Sequence, residues 1–401
     1  MRVAIVMETW DPAGGGLGQW TAQVVVRLRL RGHDVRIVAL RAAPGAPSDV
    51  VGLTLLPWHP GRIERGAAVA SALAGLETDV VHDLGVGWRY DLIQPQMGSR
   101  LASRARESRT RSPWVRWTRR FGPASRAWRR EALALESRQY RAGDGLVLAV
   151  SRRVADDLVS RHAIAPERVR LVPNGVDVER YAPAPPTADR DALRARLGVA
   201  PRVPLVLFAA RNARLKGLPA LIRAAARLRD RGHDLRIVAI GHPPDRSIRR
   251  EIERHRAEDR VHCAGPVPDP LPWYRAADAF ALPTWYDACS LTVLEACACG
   301  LPVVTTRWNG AAELLTDGQD GYVVDGPEDT DALANAIGRA IAPSSRARVG
   351  AAARALALRH TLDRNVDAIE RAYVEAIERR GAPRRSPTPG STNGVAGWQG
   401  R

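Results

Sequence analysis

At 401 residues and 45% hydrophobic composition, the chain is long and apolar enough for two ordinary domain cores. Its four cysteines, Cys263, Cys289, Cys297 and Cys299, form no C-x-x-C pair, which argues against a structural zinc site and against a disulfide framework. The formal charge of +17 points to an anionic partner, whether nucleic acid, membrane surface or substrate. No apolar run approaches the length of a membrane span, and Val3–Met7 is too short for a signal segment, so a cytoplasmic protein is expected.

In chain order, Arg2–Met7 reads as a buried strand. A glycine-rich loop follows, Trp10 to Gly18, and then an amphipathic helix with Leu17, Trp20, Thr21, Val24, Val25 and Leu28 on one face. Gln19 stands where a third glycine would complete G-x-G-x-x-G, so the dinucleotide fingerprint is not met. The loop either brings backbone close to a ligand at a helix N-terminus or makes a tight turn. Arg27–Leu40 and Arg227–Ile240 match at eleven of fourteen positions. Each copy reads as a helix end, a glycine cap and a strand, which implies two similar βαβ domains, one per half. Thr78–Asp83 is a further strand with His82 near its C-terminal end, the edge at which open α/β sheets bind ligands.

Arg100–Arg130 holds eleven arginines and one acid, Glu107, with Trp114, Trp117, Phe121 and Trp128 interleaved. That pattern fits a helix lying on an anionic membrane surface, or else a solvated face with tryptophans in the core. Nucleic acid fits less well, because no reading motif accompanies the charge. Ser151 is placed as an N-cap, Ala182–Ala188 as a linker rich in proline and alanine, and the domain boundary near 175–185. In the second half, the strand Pro204–Ala210 runs into Arg211-Asn-Ala-Arg-Leu-Lys-Gly217. Three basic residues between a strand end and a helix start make an anion site. Lys216 is the one lysine among 60 basic residues, which suggests a position needing a compact, rotatable ammonium. Asp287 precedes, and Glu295 lies within, a helix of small residues over Leu291–Cys299 capped by Gly300. Its first-turn N–H groups suit a phosphate and its two carboxylates suit sugar or ribose hydroxyls. Helices over 329–341 and 346–378 close the fold, and 381–401 reads as disordered.

With Lys216, the Asp287–Glu295 pair and Pro173–Asp177 in hand, the chain resembles the retaining GT-B glycosyltransferases of family 4, over roughly residues 1 to 378. P-T-W-Y-D-A-C-S and R-L-K-G look most like the lipopolysaccharide-core glucosyltransferase branch, whose members are similar in carrying a basic, aromatic membrane-contacting segment where Arg100–Arg130 lies. Asp287 stands where the family pattern has its first Glu, and Gln96 where many relatives have His.

The resemblance implies two Rossmann-like domains facing a cleft. These would be an acceptor-binding domain over 1–177, a nucleotide-sugar-binding domain over 178–360, and a helix over 361–380 packing back toward the first. It implies transfer of a hexose from a UDP- or GDP-linked donor to a glycan or glycolipid acceptor, by a front-face mechanism that uses neither metal nor cofactor. Lys216, with Arg211 or Arg214, would neutralise the leaving diphosphate, and Asp287 would hold donor-sugar hydroxyls. Glu295 would bind the ribose, Leu291 and Thr292 N–H groups the phosphates, and the Val267 backbone the base. Gly15 and Gly16 would approach the donor, with the acceptor near His82, Asp91 and Gln96. The alternative is a non-catalytic nucleotide-sugar-binding or scaffold protein on the same fold.

Overall fold

The computed structural model describes residues 1–46, 52–110, 114, 117, 122–141, 144–183 and 188–381. Two parallel sheets form the frame. The N-terminal sheet comprises β1 (Arg2–Trp10), β2 (Asp34–Ala42), β3 (Leu53–Leu55), β4 (Val80–Asp83), β5 (Leu92–Ile93), β6 (Leu146–Ala149) and β7 (Val169–Leu171), in the order β3-β2-β1-β4-β5-β6-β7. The C-terminal sheet comprises β8 (Leu205–Ala209), β9 (Arg236–Ile240), β10 (Val261–Gly265), β11 (Ala279–Leu282), β12 (Val303–Thr306) and β13 (Tyr322–Val324), in the order β10-β9-β8-β11-β12-β13. Strands such as Val3–Met7 and Leu205–Ala209 are unbroken apolar runs because helices cover both faces of a parallel sheet.

The internal repeat is structural. In both copies a helix, Gly16–Leu30 or Leu218–Asp230, runs into a glycine, Gly32 or Gly232, with φ of 84°. That left-handed conformation is cheap only for glycine. The same bonds recur around it: His33 N–H to Leu28 O at 3.1 Å, and His233 N–H to Leu228 O at 3.0 Å. Each unit then feeds the strand next to the first strand of its sheet, pairing in register as Val3 with Val35 and Val206 with Ile237.

The chain crosses between domains twice, at one place. Val176 N–H donates to His360 O (3.0 Å) and Leu362 N–H to Val176 O (2.9 Å), zipping the outgoing and returning segments together. A Cβ on Gly175 would lie 2.7 Å from Leu362 Cα and 2.8 Å from Asn365 Cβ, so only glycine lets the two pass. This crossing corrects the helix read over 346–378. It is two helices, Pro343–Arg359 and Leu362–Gly381, broken where His360 and Thr361 pair with Val176 instead of continuing the turn. The second helix lies on the N-terminal sheet, with Leu362, Val366, Ile369 and Tyr373 packed among Ile5, Trp20 and Leu28. Residues 184–187 of the expected linker and 382–401 of the expected disordered tail lie outside the described residues. Among the described residues no helix is long and apolar enough to cross a membrane.

Candidate functional site between the two sheets

Loops at the C-terminal ends of the strands of both sheets face each other. The loop after β1 presents Gly15 and Gly16. A Cβ on Gly15 would lie 2.8 Å from Arg211 Nε, and one on Gly16 3.2 Å from Leu291 Cδ1. The glycine loop thus approaches the loop after β8 and the start of the helix Leu291–Ala298, bringing together four of the residues singled out in the sequence.

The loop after β8 is laced to the loop after β11. Trp285 N–H and Thr284 Oγ1 both donate to Leu215 O, at 2.9 and 3.1 Å. This lacing aims Lys216 at Asp287: Nζ lies 2.5 Å from Asp287 Oδ2 and 3.3 Å from Tyr286 O. Both side chains are largely enclosed, Lys216 at 20% and Asp287 at 15% exposure. Arg211 is exposed, and Arg214 donates to Thr110 O at 3.2 Å. Asp287 is also fixed through its backbone. Its N–H donates to Trp308 O (3.0 Å), and its carbonyl accepts from Gly310 N–H (2.9 Å).

Ser290 precedes the helix Leu291–Ala298, but its side chain does not cap it; Ser290 Oγ lies 3.0 Å from Thr292 Oγ1 instead. The first-turn N–H groups, those of Leu291 and Thr292 among them, therefore keep their capacity to bind an anion. Glu295 Oε2 accepts from Tyr274 OH at 2.7 Å. Burial pushes the Glu295 carboxyl above its ordinary value, against the opposing pull of the Tyr274 and Tyr181 hydroxyls and of Arg180. It lines a gap of about 20 Å³, room for one water, with Gly16, Trp20, Asp177 and Leu291. Val267 is half-buried in the loop after β10.

The expected acceptor residues divide. Gln96 lies half-buried in the loop after β5, at the C-terminal end of that strand. His82 does not reach the cleft. It is 1% exposed, and Nδ1 lies 3.0 Å from Tyr373 OH on the returning helix. Burial lowers its pKa to about 3, so it is a neutral core residue. Asp91 precedes β5, at the opposite end of the strands. It accepts from Val81 N–H at 2.7 Å and pairs with Arg380 at 3.2 Å, stapling the far edge to the last helix. Its side chain therefore faces away from the cleft. A cavity of about 320 Å³ occupies the N-terminal side instead, lined by Glu8, Arg62, Met97, Arg100, Arg104 and Trp128 among others.

The basic segment is not a single surface helix. Arg100–Ser108 and Pro123–Arg141 are helical, as are Trp114 and Trp117, whose rings stack at 5.5 Å with 71% and 59% exposure. Trp128 is half-buried, with Arg62 and Arg104 near its face at 5.3 and 5.1 Å. Arg106 is buried against the other domain rather than offered to a surface. Phe121 and Arg111, Arg116, Arg119 and Arg120 lie outside the described residues.

Sequence reasoning missed three elements of the site. Asn309 Oδ1 accepts from Ser290 N–H (3.2 Å) and Ala311 N–H (3.1 Å), setting the loop before the helix. Glu313 accepts from the N–H groups of Arg152 and Arg153, at 2.7 and 2.9 Å, so one domain tops a helix of the other that Ser151 also caps. Arg106 grips Trp285 and Trp308 across the cleft. Asn309-Gly310 is a local turn signal in the sequence; the other two are long-range and leave no local trace. Among the described residues no group of three or more His, Cys, Asp and Glu is arranged to hold a metal ion.

Residues 14–180 match the family description Glycosyltransferase Family 4, and residues 203–342 match Glycosyl transferases group 1. A D-inositol 3-phosphate glycosyltransferase of Acidothermus cellulolyticus is 31% identical over 418 residues, covering 94% of this chain and 91% of that protein. One of Xylanimonas cellulosilytica is 37% identical over 257 residues, an alignment spanning 62% of this chain and 60% of that protein. Among solved structures, WaaG, a glycosyltransferase involved in lipopolysaccharide biosynthesis, superposes with a TM-score of 0.77 at 22% identity, over 93% of this chain and 99% of that one. Anabaena Alr3699/HepE in complex with UDP superposes with a TM-score of 0.71 at 20% identity, over 94% and 100%. At those identities the two structures speak to the fold.

Proposed function

The chain belongs to the GT-B glycosyltransferases of family 4, and from that premise we propose that it moves a hexose, with retention, from a UDP- or GDP-linked donor to a hydroxyl of a glycan or glycolipid. The observation that carries this reading is the convergence of Lys216, Asp287 and an uncapped helix N-terminus opposite Gly15 and Gly16. The diphosphate lies against the first turn of Leu291–Ala298, Glu295 takes the ribose hydroxyls, and the Val267 backbone meets the base. The incoming diphosphate draws Lys216 Nζ from Asp287, freeing a carboxylate to accept from the sugar hydroxyls. Arg211 and Arg214 stand on the same loop.

The acceptor oxygen attacks the anomeric carbon on the face from which the phosphate leaves. The new C–O bond forms as the sugar–phosphate bond breaks, and the acceptor proton passes to the departing phosphate oxygen. No side-chain nucleophile takes part. The protein's task is to stabilise charge gathering on the diphosphate, which a preorganised ammonium and helix N–H groups do without a metal ion.

The acceptor enters through the cavity of about 320 Å³ on the N-terminal side. That cavity reaches Gly98, and the space beside Gly98 is filled by Tyr286, the neighbour of Asp287. Arg62, Arg100 and Arg104 on its wall favour an acceptor bearing a phosphate. A soluble phosphorylated polyol, the class in the Acidothermus relative's name, is therefore the second reading of the acceptor. Trp114 and Trp117, exposed and followed by arginines, support peripheral contact with an anionic membrane, where each arginine contributes about 1 kcal/mol.

A thermal-shift panel of UDP- and GDP-sugars, with and without chelator, tests the donor, and the anomeric configuration of the product tests retention. One donor should raise the melting temperature, chelator should leave the shift unchanged, and the product should keep the donor's configuration. No shift with any donor, or an inverted product, sinks the proposal.

A further inference from the structure

The helix Arg100–Ser108 has two working faces. Arg100, Ser103, Arg104 and Glu107 line the cavity on the N-terminal side. Ala102 and Arg106, four residues apart and so on one side of the helix, face the C-terminal domain. Ala102 packs in a small apolar cluster with Leu215, Tyr286 and Trp285. Leu215 adjoins Lys216, and Tyr286 adjoins Asp287, so this cluster braces the two loops that carry the ion pair.

Arg106 completes the brace. The residue is only 9% exposed. Nε donates to Trp285 O at 3.1 Å, and the guanidinium lies 3.1 Å over the Trp308 ring. Trp308 O in turn accepts the Asp287 N–H at 3.0 Å. Arg106 therefore holds the chain two residues before Asp287 and also the residue that holds Asp287 itself.

Stability does not account for this arginine. Among the described residues no carboxylate lies within ion-pair distance of it, and Nη2 is buried without a hydrogen-bond partner. Burial, with repulsion from Arg109, Arg153 and Arg307 and against the longer-range attraction of Glu328, lowers its pKa to about 10. A buried cation with no acid in direct contact is an expensive way to fill space, and an apolar side chain would fill it at lower cost. What an apolar residue could not do is bond a carbonyl and place a cation over an indole at once.

We propose that Arg106 is a positioning residue for the transfer reaction: from the N-terminal domain it clamps the Trp285–Asp287 loop, so that the Lys216–Asp287 pair is held in place across the cleft. The clamp makes the donor side of the cleft answer to the helix that lines the acceptor cavity. It rests on the transferase reading, and touches neither substrate.

The test measures transfer from UDP-glucose, UDP-N-acetylglucosamine and GDP-mannose by wild type, Arg106→Ala, Arg106→Lys and Trp308→Leu, together with UDP and GDP affinity. Arg106→Ala should lower kcat about 10- to 100-fold while nucleotide affinity stays within about twofold, because the misplacement falls on the reacting pair and not on the nucleotide site. Arg106→Lys should recover part of the loss, since an ammonium can bond Trp285 O but cannot stack as a plane. Arg106→Ala added to Lys216→Ala should slow the enzyme no further, because the two act through one pair.

Wild-type kcat in Arg106→Ala, or additive losses in the double variant, overturns the proposal. Should the alanine variant fail to fold, Trp308→Leu removes the other half of the stack and takes its place: a similar loss of kcat upholds the clamp, and wild-type kcat overturns it. If wild type transfers no sugar, the transferase reading fails by itself. Amide hydrogen exchange over 284–290 still tests the clamp: faster exchange in Arg106→Ala upholds it, and unchanged exchange overturns it.

Discussion

Lys216→Ala is the substitution that bears most directly on the proposed chemistry. The ammonium is about four-fifths enclosed and lies 2.5 Å from Asp287, so a diphosphate that displaces Asp287 meets it in a poorly solvated space. At an effective dielectric near 20, a unit charge about 4 Å from a phosphate oxygen contributes roughly 4 kcal/mol. Much of that acts only as negative charge builds on the leaving group, so it lowers the barrier rather than tightening the ground state. The expected loss is about 10²- to 10³-fold in kcat, the size seen when a preorganised charge-stabilising group is removed.

Neither neighbouring arginine makes good the deletion. Arg214 is turned to Thr110 O, and Arg211 lies against the glycine loop. The fold should survive, because the loop is held by Trp285 and Thr284 through Leu215 O, bonds that do not involve the lysine side chain. The assay is release of nucleoside diphosphate under saturating donor, with circular dichroism to confirm folding. A folded Lys216→Ala protein turning over within about threefold of wild type would falsify the role given to the ammonium.

Further expectations concern the frame around that pair. His82, with a pKa lowered to about 3 by burial, refuses a proton that the unfolded chain accepts below about 6.5. Stability should therefore fall as pH drops from 6.5 toward 3, by at most about 1.4 kcal/mol per pH unit from this residue. His82→Gln should flatten that limb in urea titrations. Asp83, raised by burial to about 6, contributes the opposite slope in both proteins, so the difference between them isolates the histidine. Gly175→Ala drives a methyl into the returning chain at Thr361 and Leu362 and should lower stability by roughly 1–3 kcal/mol, read as a lower urea midpoint. An unchanged midpoint there would mean that the crossing has room for a methyl group. Replacing Trp114 and Trp117 by Ser should abolish binding to anionic vesicles in flotation assays and leave transfer to a soluble acceptor intact. Equal flotation would rule out these tryptophans as the membrane contact.

Much of the frame was legible because it is local. Burial periodicity and glycine caps are written within a few residues, so the paired R-L-R-x-R-G-H-D segments by themselves announce two similar units. The resemblance built on Lys216, Asp287 and Glu295 pointed to a cleft between them, and the fold brings Lys216 and Asp287 into contact across 71 residues of chain. Other parts were decided only when the sheets were assembled. His82 looks like a cleft residue from its place near a strand end, and the resemblance puts Asp91 beside the acceptor as well. Yet a strand has two faces and two ends, and packing against Tyr373 and Arg380 of the last helix assigned them elsewhere. Arg106 counted as one of eleven similar arginines until the C-terminal domain supplied Trp285 and Trp308, some 180 and 200 residues away, and buried it. Short-range patterns carry propensity and capping, so most helices, strands and turns follow from the sequence alone, whereas the helix break at His360 and Thr361 came from pairing with Val176. Which polar side chains meet across the cleft depends on how two separately folded sheets face each other, and that is a property of the packed structure.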